Sequence, residues 1–191
     1  MAQWLSIKSF SEACAALPLV SIDLMVTRSG TAGPELLLGL RNNSPAKGWW
    51  FTPGGRIRKN EPLHDAQCRV AKDEIGLESA FLERCTLVGV FDHFYPDSAF
   101  DSATSTHYVN LPYLLPLNRD EATSLKLPSG INAQHANWKW LSFSEATFDP
   151  LVHKNVKITL EGASKLLGTP SSPNQDTPIR MRCAINDHSR N

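Results

Sequence analysis

No run in this chain approaches the ~20 consecutive apolar residues of a helical membrane span, so none is expected. The apolar stretch from Ala13 to Val20 is short, follows Glu12 and flows into the strand-like Ser21-Ile-Asp-Leu-Met-Val26, and it is not read as a signal peptide. Charge of one sign is missing too: 19 lysines and arginines balance 19 aspartates and glutamates. That removes the basic footprint of general nucleic-acid binding while leaving room for a local cationic pocket. There is no C-x-x-C spacing. Cys14, Cys68, Cys85 and Cys183 are scattered and read as the reduced thiols of a soluble, cytoplasmic protein. No internal repeat is detectable.

What is present suits one substantial core: 191 residues, 41% of them hydrophobic. A short helix is expected near Phe10 to Leu17. Strands are expected at Leu19 to Thr27 and Glu35 to Leu40, separated by the turn sequence Ser29-Gly-Thr-Ala-Gly-Pro34. Further strands are read at Trp49 to Thr52, Ala80 to Phe94, Thr106 to Leu115 and Trp138 to Phe143, with a helix over Leu151 to Leu167 covering the second face of the sheet. The division is an N-terminal segment (1–17), a helix-sheet-helix domain (18–168) and a breaker-rich tail (169–191) read as mobile.

The segment from Gly55 to Leu77 carries the chemistry. Pro62 suits a first helical position and Gly76 the left-handed residue after a helix end, which predicts a helix over Pro62 to Ile75. Leu63, Ala66, Val70 and Leu77 share one side and should pack on a sheet. Glu74 falls inside that stripe. An isolated carboxylate there opposes folding by several kcal/mol unless it is paired, protonated or bound to a cation, and a metal ion is the simplest explanation. Asp65, Arg69 and Asp73 run at four-residue spacing along another side, where ion pairs contribute about 0.2–0.5 kcal/mol each. Ahead of the helix, Pro53-Gly-Gly55 allows close backbone approach by a ligand, and Arg56, Arg58 and Lys59 follow at once, an arrangement that suits a phosphate-sized anion.

Gly55, Glu61, Arg69, Asp73, Glu74 and Gly76 stand at the spacing of the Nudix box, and the chain resembles that family. The resemblance implies a Nudix-like α/β/α sandwich with a mixed sheet and a loop-helix-loop box. The general pattern has Glu directly after the Arg, where this chain has Val70. That departure resembles the GDP-mannose mannosyl hydrolase branch, as do Pro18-Leu-Val-Ser-Ile-Asp23, the run from Arg41 to Arg56, His93-Phe-Tyr, Thr106-His-Tyr-Val and Asn132-Ala-Gln-His135.

The branch implies a homodimer and one Mg²⁺ ion held by the Gly54 carbonyl, Glu74 and Gln134, all hard oxygen donors. It implies His135 as general base, Arg56 and Arg69 as neutralisers of the departing diphosphate, Arg41 and Tyr108 beside its phosphates, and Asp23 and His93 near the sugar or its leaving oxygen. A lone histidine is more often a surface or structural residue, and His64, His153 and His188 are read so. His135 is set apart by Gln134 before it and by the box.

Three functions remain open on the sequence. The first is hydrolysis of a GDP-sugar, GDP-mannose or GDP-glucose, by water attack at the anomeric carbon. The second is a pyrophosphohydrolase acting at phosphorus, in which Asp73 restores part of a second metal site. The third is a non-catalytic sugar-nucleotide sensor. No nucleic-acid or membrane partner is expected.

Overall fold

The computed structural model describes residues 5–168, so the tail assigned to 169–191, and Cys183 with it, lies outside the described residues. Strand β1 (Leu19–Gly30) turns at once into antiparallel β2 (Gly33–Arg41), but the two pair only near the turn, from Gly30 opposite Gly33 to Thr27 opposite Leu36. Beyond that point they part. The segment 50–56 enters the fork, with β3 (Trp50–Phe51) pairing β2 and β4 (Gly54–Arg56) pairing β1.

The other edge of β1 runs parallel to β7 (Thr106–Leu117), whose far edge takes β5 (Thr86–Leu87) and β6 (Phe91–Tyr95) in antiparallel pairing. Strand β8 (His135–Ser142) closes on β2. The sheet is therefore mixed, as the resemblance implied.

Both faces are covered, which is why β1 is buried continuously from Ser21 to Thr27 rather than at alternate residues. Ile22, Leu24 and Val26 pack under helix α2 (Leu63–Ile75) through Ala66, Val70, Ala71 and Ile75. On the opposite face Met25, Leu36 and Leu38 meet Val156, Leu160 and Ala163 of α5 (Lys154–Gly168). Helix α1 (Ile7–Ala16) precedes the sheet. The short α3 (Arg119–Ser124) and α4 (Phe143–Phe148) follow β7 and β8.

The bounds of α2 agree with the sequence to within one residue. Pro62 is the N-cap rather than the first helical residue, and Gly76 takes the left-handed conformation at φ 63°. A Cβ at Gly76 would also lie 2.5 Å from that of Lys126, so glycine is required there twice over.

The single long strand expected over Ala80 to Phe94 is not formed. Ser79–Arg84 winds into a 3-10 turn, and the remainder splits into β5 and β6. The cause of the split lies in the partner strand. Val88 N–H donates to the Pro112 carbonyl (2.9 Å), but Pro112 has no N–H to return, so the ladder lapses before Phe91 meets Asn110. Helices α3 and α4 were not anticipated, although each opens on a reciprocal capping box, Asn118 with Glu121 and Ser142 with Glu145.

His153 stands immediately before α5. Its Nδ1 accepts a hydrogen bond from Asn155 N–H (3.2 Å), and its ring stacks on Tyr95 at 5.5 Å. Burial chiefly, helped by the charges of Lys154 and Arg41 and opposed by Asp97, pushes its pKa down to about 4. The unfolded chain therefore takes up this proton first. The contribution of neutral His153 is complete above about pH 6.5 and is lost as pH falls towards 4. Chemical denaturation of wild type and His153→Asn across pH 7 to 4 should show the wild type losing about 2 kcal/mol more than the variant over that interval. Parallel curves would place the acid sensitivity elsewhere.

Candidate active site

Strand register alone gathers most of the polar residues expected at the site. Asp23 pairs with Gly54, Ser21 with both Arg56 and Asn110, His93 with Tyr108, and Arg41 with His135. These residues, apart from His135, wall a cleft of about 270 Å³ together with Gln134, Phe51 and Tyr95. A second hollow of about 220 Å³ opens from it across Gly54, Gly55, Arg56 and Gln134, and is bounded beyond them by Arg58, Arg69, Val70, Asp73 and Glu74. All ten residues expected from the sequence except His135 thus line one of two joined spaces.

The loop between β4 and α2 is held by Glu61. Its carboxylate, whose side chain is only 4% exposed, accepts from Arg69 Nε (2.6 Å), Arg69 Nη2 (2.8 Å) and Arg58 N–H (2.8 Å). Arg69 Nη2 also donates to the Arg56 carbonyl (3.0 Å). The Arg69 hydrogen bonds hold Glu61 below the usual carboxylate range. Arg69 is thus tied to Glu61, not to Asp65 or Asp73 as the four-residue spacing suggested, because the loop folds back beside the helix. Arg56 is aimed differently, its guanidinium lying 4.2 Å above the Phe10 ring.

Glu74 reaches past the apolar stripe of α2 to within 3.4 Å of His135 Nδ1. Burial pushes its carboxyl up to about 7. Arg41 opposes that rise, and Asp73 and Asp23 add to it. Asp23 is likewise raised to about 7 by burial, against the pull of Arg41 and the hydrogen bonds of Thr52 and Asn110. His135 is 1% exposed and is driven down to about 3 by burial and by Arg41, so it is neutral at physiological pH. Its Nε2 is buried without a partner. The ring lies against Gly39, where any Cβ would strike it.

Gln134 Nε2 donates to the Gly54 carbonyl at 3.2 Å. Turning that amide over presents its oxygen instead. The Gly54 carbonyl, Gln134 and Glu74 then offer three oxygen donors around one hollow, and Glu74 is a half-buried acid whose ionised form a hard divalent cation would stabilise. The residues therefore fit Mg²⁺. Val70, fully buried, presents only methyl groups at the position where the general box has an acid. Among the described residues no cluster of three His, Cys, Asp or Glu side chains competes as a metal site.

Sequence reasoning missed Asn110 and Ser21. Asn110 Nδ2 donates to Ser21 Oγ (2.9 Å), while its Oδ1 is buried without a partner in the cleft wall. The signal was the two-residue strand period, which puts Asn110 on the face of Tyr108 and Ser21 on that of Asp23.

Breaking the Glu61 pair leaves the Arg69 charge in a partly buried setting. Glu61→Ala is expected to cost about 3 kcal/mol in urea denaturation, and Arg69→Lys about as much, since an ammonium cannot reproduce the two-pronged contact. A loss under about 1 kcal/mol in both would mean that the backbone alone holds the loop.

The family model for the NUDIX domain matches residues 17–161. A curated relative, the low-salt glycan biosynthesis protein Agl8 of Haloferax volcanii, is 42% identical over 106 residues, which are 56% of this chain and 64% of that protein. The chain therefore spans somewhat under two thirds of that relative's length. Among solved structures, the MutT NUDIX hydrolase of Burkholderia pseudomallei superposes with a TM-score of 0.57 at 27% identity, over 76% of this chain and 97% of that one. The NUDIX domain of Shewanella oneidensis NrtR, complexed with ADP ribose, superposes with a TM-score of 0.60 at 18% identity, over 85% and 94%. The fold, the loop closed by Glu61 and Arg69, and the family match over most of its length make this chain a member of the NUDIX domain family.

Proposed function

We propose that this NUDIX hydrolase acts on a GDP-sugar, GDP-mannose or GDP-glucose, with Mg²⁺, releasing GDP and free sugar by water attack at the anomeric carbon. The observation that carries the reading is the donor set: a single half-buried carboxylate, Glu74, stands with the Gly54 carbonyl and Gln134, and Val70 adds no ligand. So few anionic ligands suit a metal that stabilises a departing diphosphate better than one that generates hydroxide. When bound, Mg²⁺ would supply that charge stabilisation. The glycan biosynthesis role in the name of the 42% identical relative is compatible with a sugar-nucleotide substrate.

Arg56, Arg41 and Tyr108 border the cleft where the diphosphate would lie, and Arg69 borders the adjoining hollow. Fixed cations there act on charge as it develops on the leaving oxygen. Asp23 and His93, both buried in the cleft wall, would orient the sugar. His135, neutral at working pH, would take the proton of the attacking water while the electrons of the carbon-oxygen bond leave with GDP. Its ring is only 1% exposed, so this role requires a rearrangement that admits water, which would also relieve the burial that holds its basicity down.

The reading extends to a homodimer in the cytoplasm. Exposed Ile7 and Leu17 at the N-terminal helix support the first, and free Cys14, Cys68 and Cys85 are compatible with the second. A second reading, attack at phosphorus, is favoured by one observation: Asp73 borders the same hollow as Glu74.

Hydrolysis of GDP-mannose with Mg²⁺ in ¹⁸O-water separates the two. Free mannose carrying the label, with unlabelled GDP, is expected; GMP and mannose phosphate with label on phosphorus would overturn attack at carbon. His135→Gln should lower kcat roughly 10²–10⁴-fold with KM little changed. Asp73→Ala should leave turnover within about threefold of wild type, because Asp73 is exposed to solvent at the edge of the hollow and a screened charge there supplies under about 0.7 kcal/mol.

A further inference from the structure

We infer that the chamber between the 42–47 turn and the 97–102 loop seats the nucleobase of the substrate, and that Asp97 selects guanine there. The inference rests on the nucleotide-sugar reading of the adjoining cleft.

The first observation is size. The cleft of about 270 Å³ falls below the roughly 300–1,000 Å³ of sites that hold drug-sized ligands, and a nucleotide sugar is at least that large. A further chamber of about 480 Å³ adjoins it and shares Asn43, Ser44 and Ala99 with its wall. The 42–47 wall of this chamber is fixed relative to the cleft. Asn42 N–H donates to the Gln134 carbonyl (2.9 Å), and the Asn42 amide donates to the Ala133 carbonyl (2.8 Å), so the turn is fastened to the segment that borders the diphosphate side. A substrate with its diphosphate at Gln134 and its sugar towards Asp23 has this chamber open to its third part.

The second observation is chemistry. Two aspartates border the chamber, and they differ. The Asp101 carboxylate is engaged by Ala103 N–H (2.9 Å) and Thr104 N–H (2.6 Å), which shapes the loop. The half-buried Asp97 carboxylate makes no hydrogen bond or ion pair with the described residues, and neither does the ammonium of exposed Lys47 on the facing turn.

Guanine presents adjacent N1–H and N2–H donors on one edge and the acceptors O6 and N7 on another. A carboxylate accepts from the first, and an ammonium donates to the second. Adenine lacks the adjacent donor pair and would leave Asp97 desolvated and unmatched, which is the kind of mismatch that discriminates strongly. Phe100, held edge-on by Phe10 at 4.9 Å and 89°, supplies an aromatic surface in the same chamber.

Titration calorimetry of the full chain with GDP, IDP and ADP in the presence of Mg²⁺ tests this without any bond being broken, so it is independent of whether carbon or phosphorus is attacked. Wild type is expected to bind GDP about ten- to a hundredfold tighter than ADP, and tighter than IDP, which lacks the 2-amino group. Asp97→Asn should bring GDP and IDP to within about threefold of each other, and Lys47→Gln should weaken GDP and IDP alike. Circular dichroism would verify that both variants are folded. A GDP preference unchanged in Asp97→Asn overturns the assignment and leaves the GDP-sugar reading standing. No preference for GDP over ADP in wild type overturns both.

Discussion

Gly54 can lie opposite Asp23 only because it has no side chain: a Cβ there would overlap the Asp23 carboxylate and come within 2.8 Å of the Ile22 carbonyl. The fork between β1 and β2 exists to admit this strand, and the approach it allows turns the Gly54 carbonyl towards Gln134. Once that pairing is fixed, register does the rest. Arg56 falls beside Ser21 and Asn110, and the loop after Arg56 is drawn back by Glu61 so that α2 presents Glu74 to the same hollow.

The cost of that assembly is electrostatic. Two carboxyls, buried Asp23 and half-buried Glu74, act on one another, and Arg41 is the cation that opposes the rise of both. Arg41 cannot sit on either acid fully, since its Nε is committed to the Pro45 carbonyl (3.0 Å). Both acids accordingly stand near 7, well above an ordinary carboxyl, so each is only partly ionised at neutral pH. Burial, with Arg41, keeps His135 neutral. A cleft in this condition gains from a divalent cation at Glu74, and the binding of metal and the ionisation of that carboxylate must be coupled.

How much of this was legible in the sequence depended on whether the signal was local. The α2 helix was legible because its stop is a glycine and its apolar stripe is regular, and Leu19 to Thr27 was legible as a strand from its β-rich composition, though not its burial on both faces. The strand read over Ala80 to Phe94 failed because its interruption is caused by Pro112, some twenty residues away and on another strand. The pairing of Arg69 with Glu61 was invisible to helical spacing for a related reason: Glu61 precedes the helix and returns to it only through the loop it closes. The polar residues of the site reached by resemblance do converge, but their burial, and the shut position of His135, follow from packing that no single motif encodes.

The engagement of Arg69 bears on how the cleft treats an anion. Nε and Nη2 are taken by Glu61 and the Arg56 carbonyl, which leaves Nη1 as the nitrogen free of the loop's own hydrogen bonds. Arg69 therefore positions the backbone around Arg56. With Val70 in place of an acid, the hollow between Arg56, Arg58 and Arg69 holds two carboxylates, Asp73 and Glu74, against three guanidinium groups, one of them already paired with Glu61. An acid at residue 70 would have made the acids the majority over the two remaining cations. The methyl surface keeps that balance even, so a bound divalent ion would tip the hollow towards net positive charge, the condition under which an anion beside it is stabilised most.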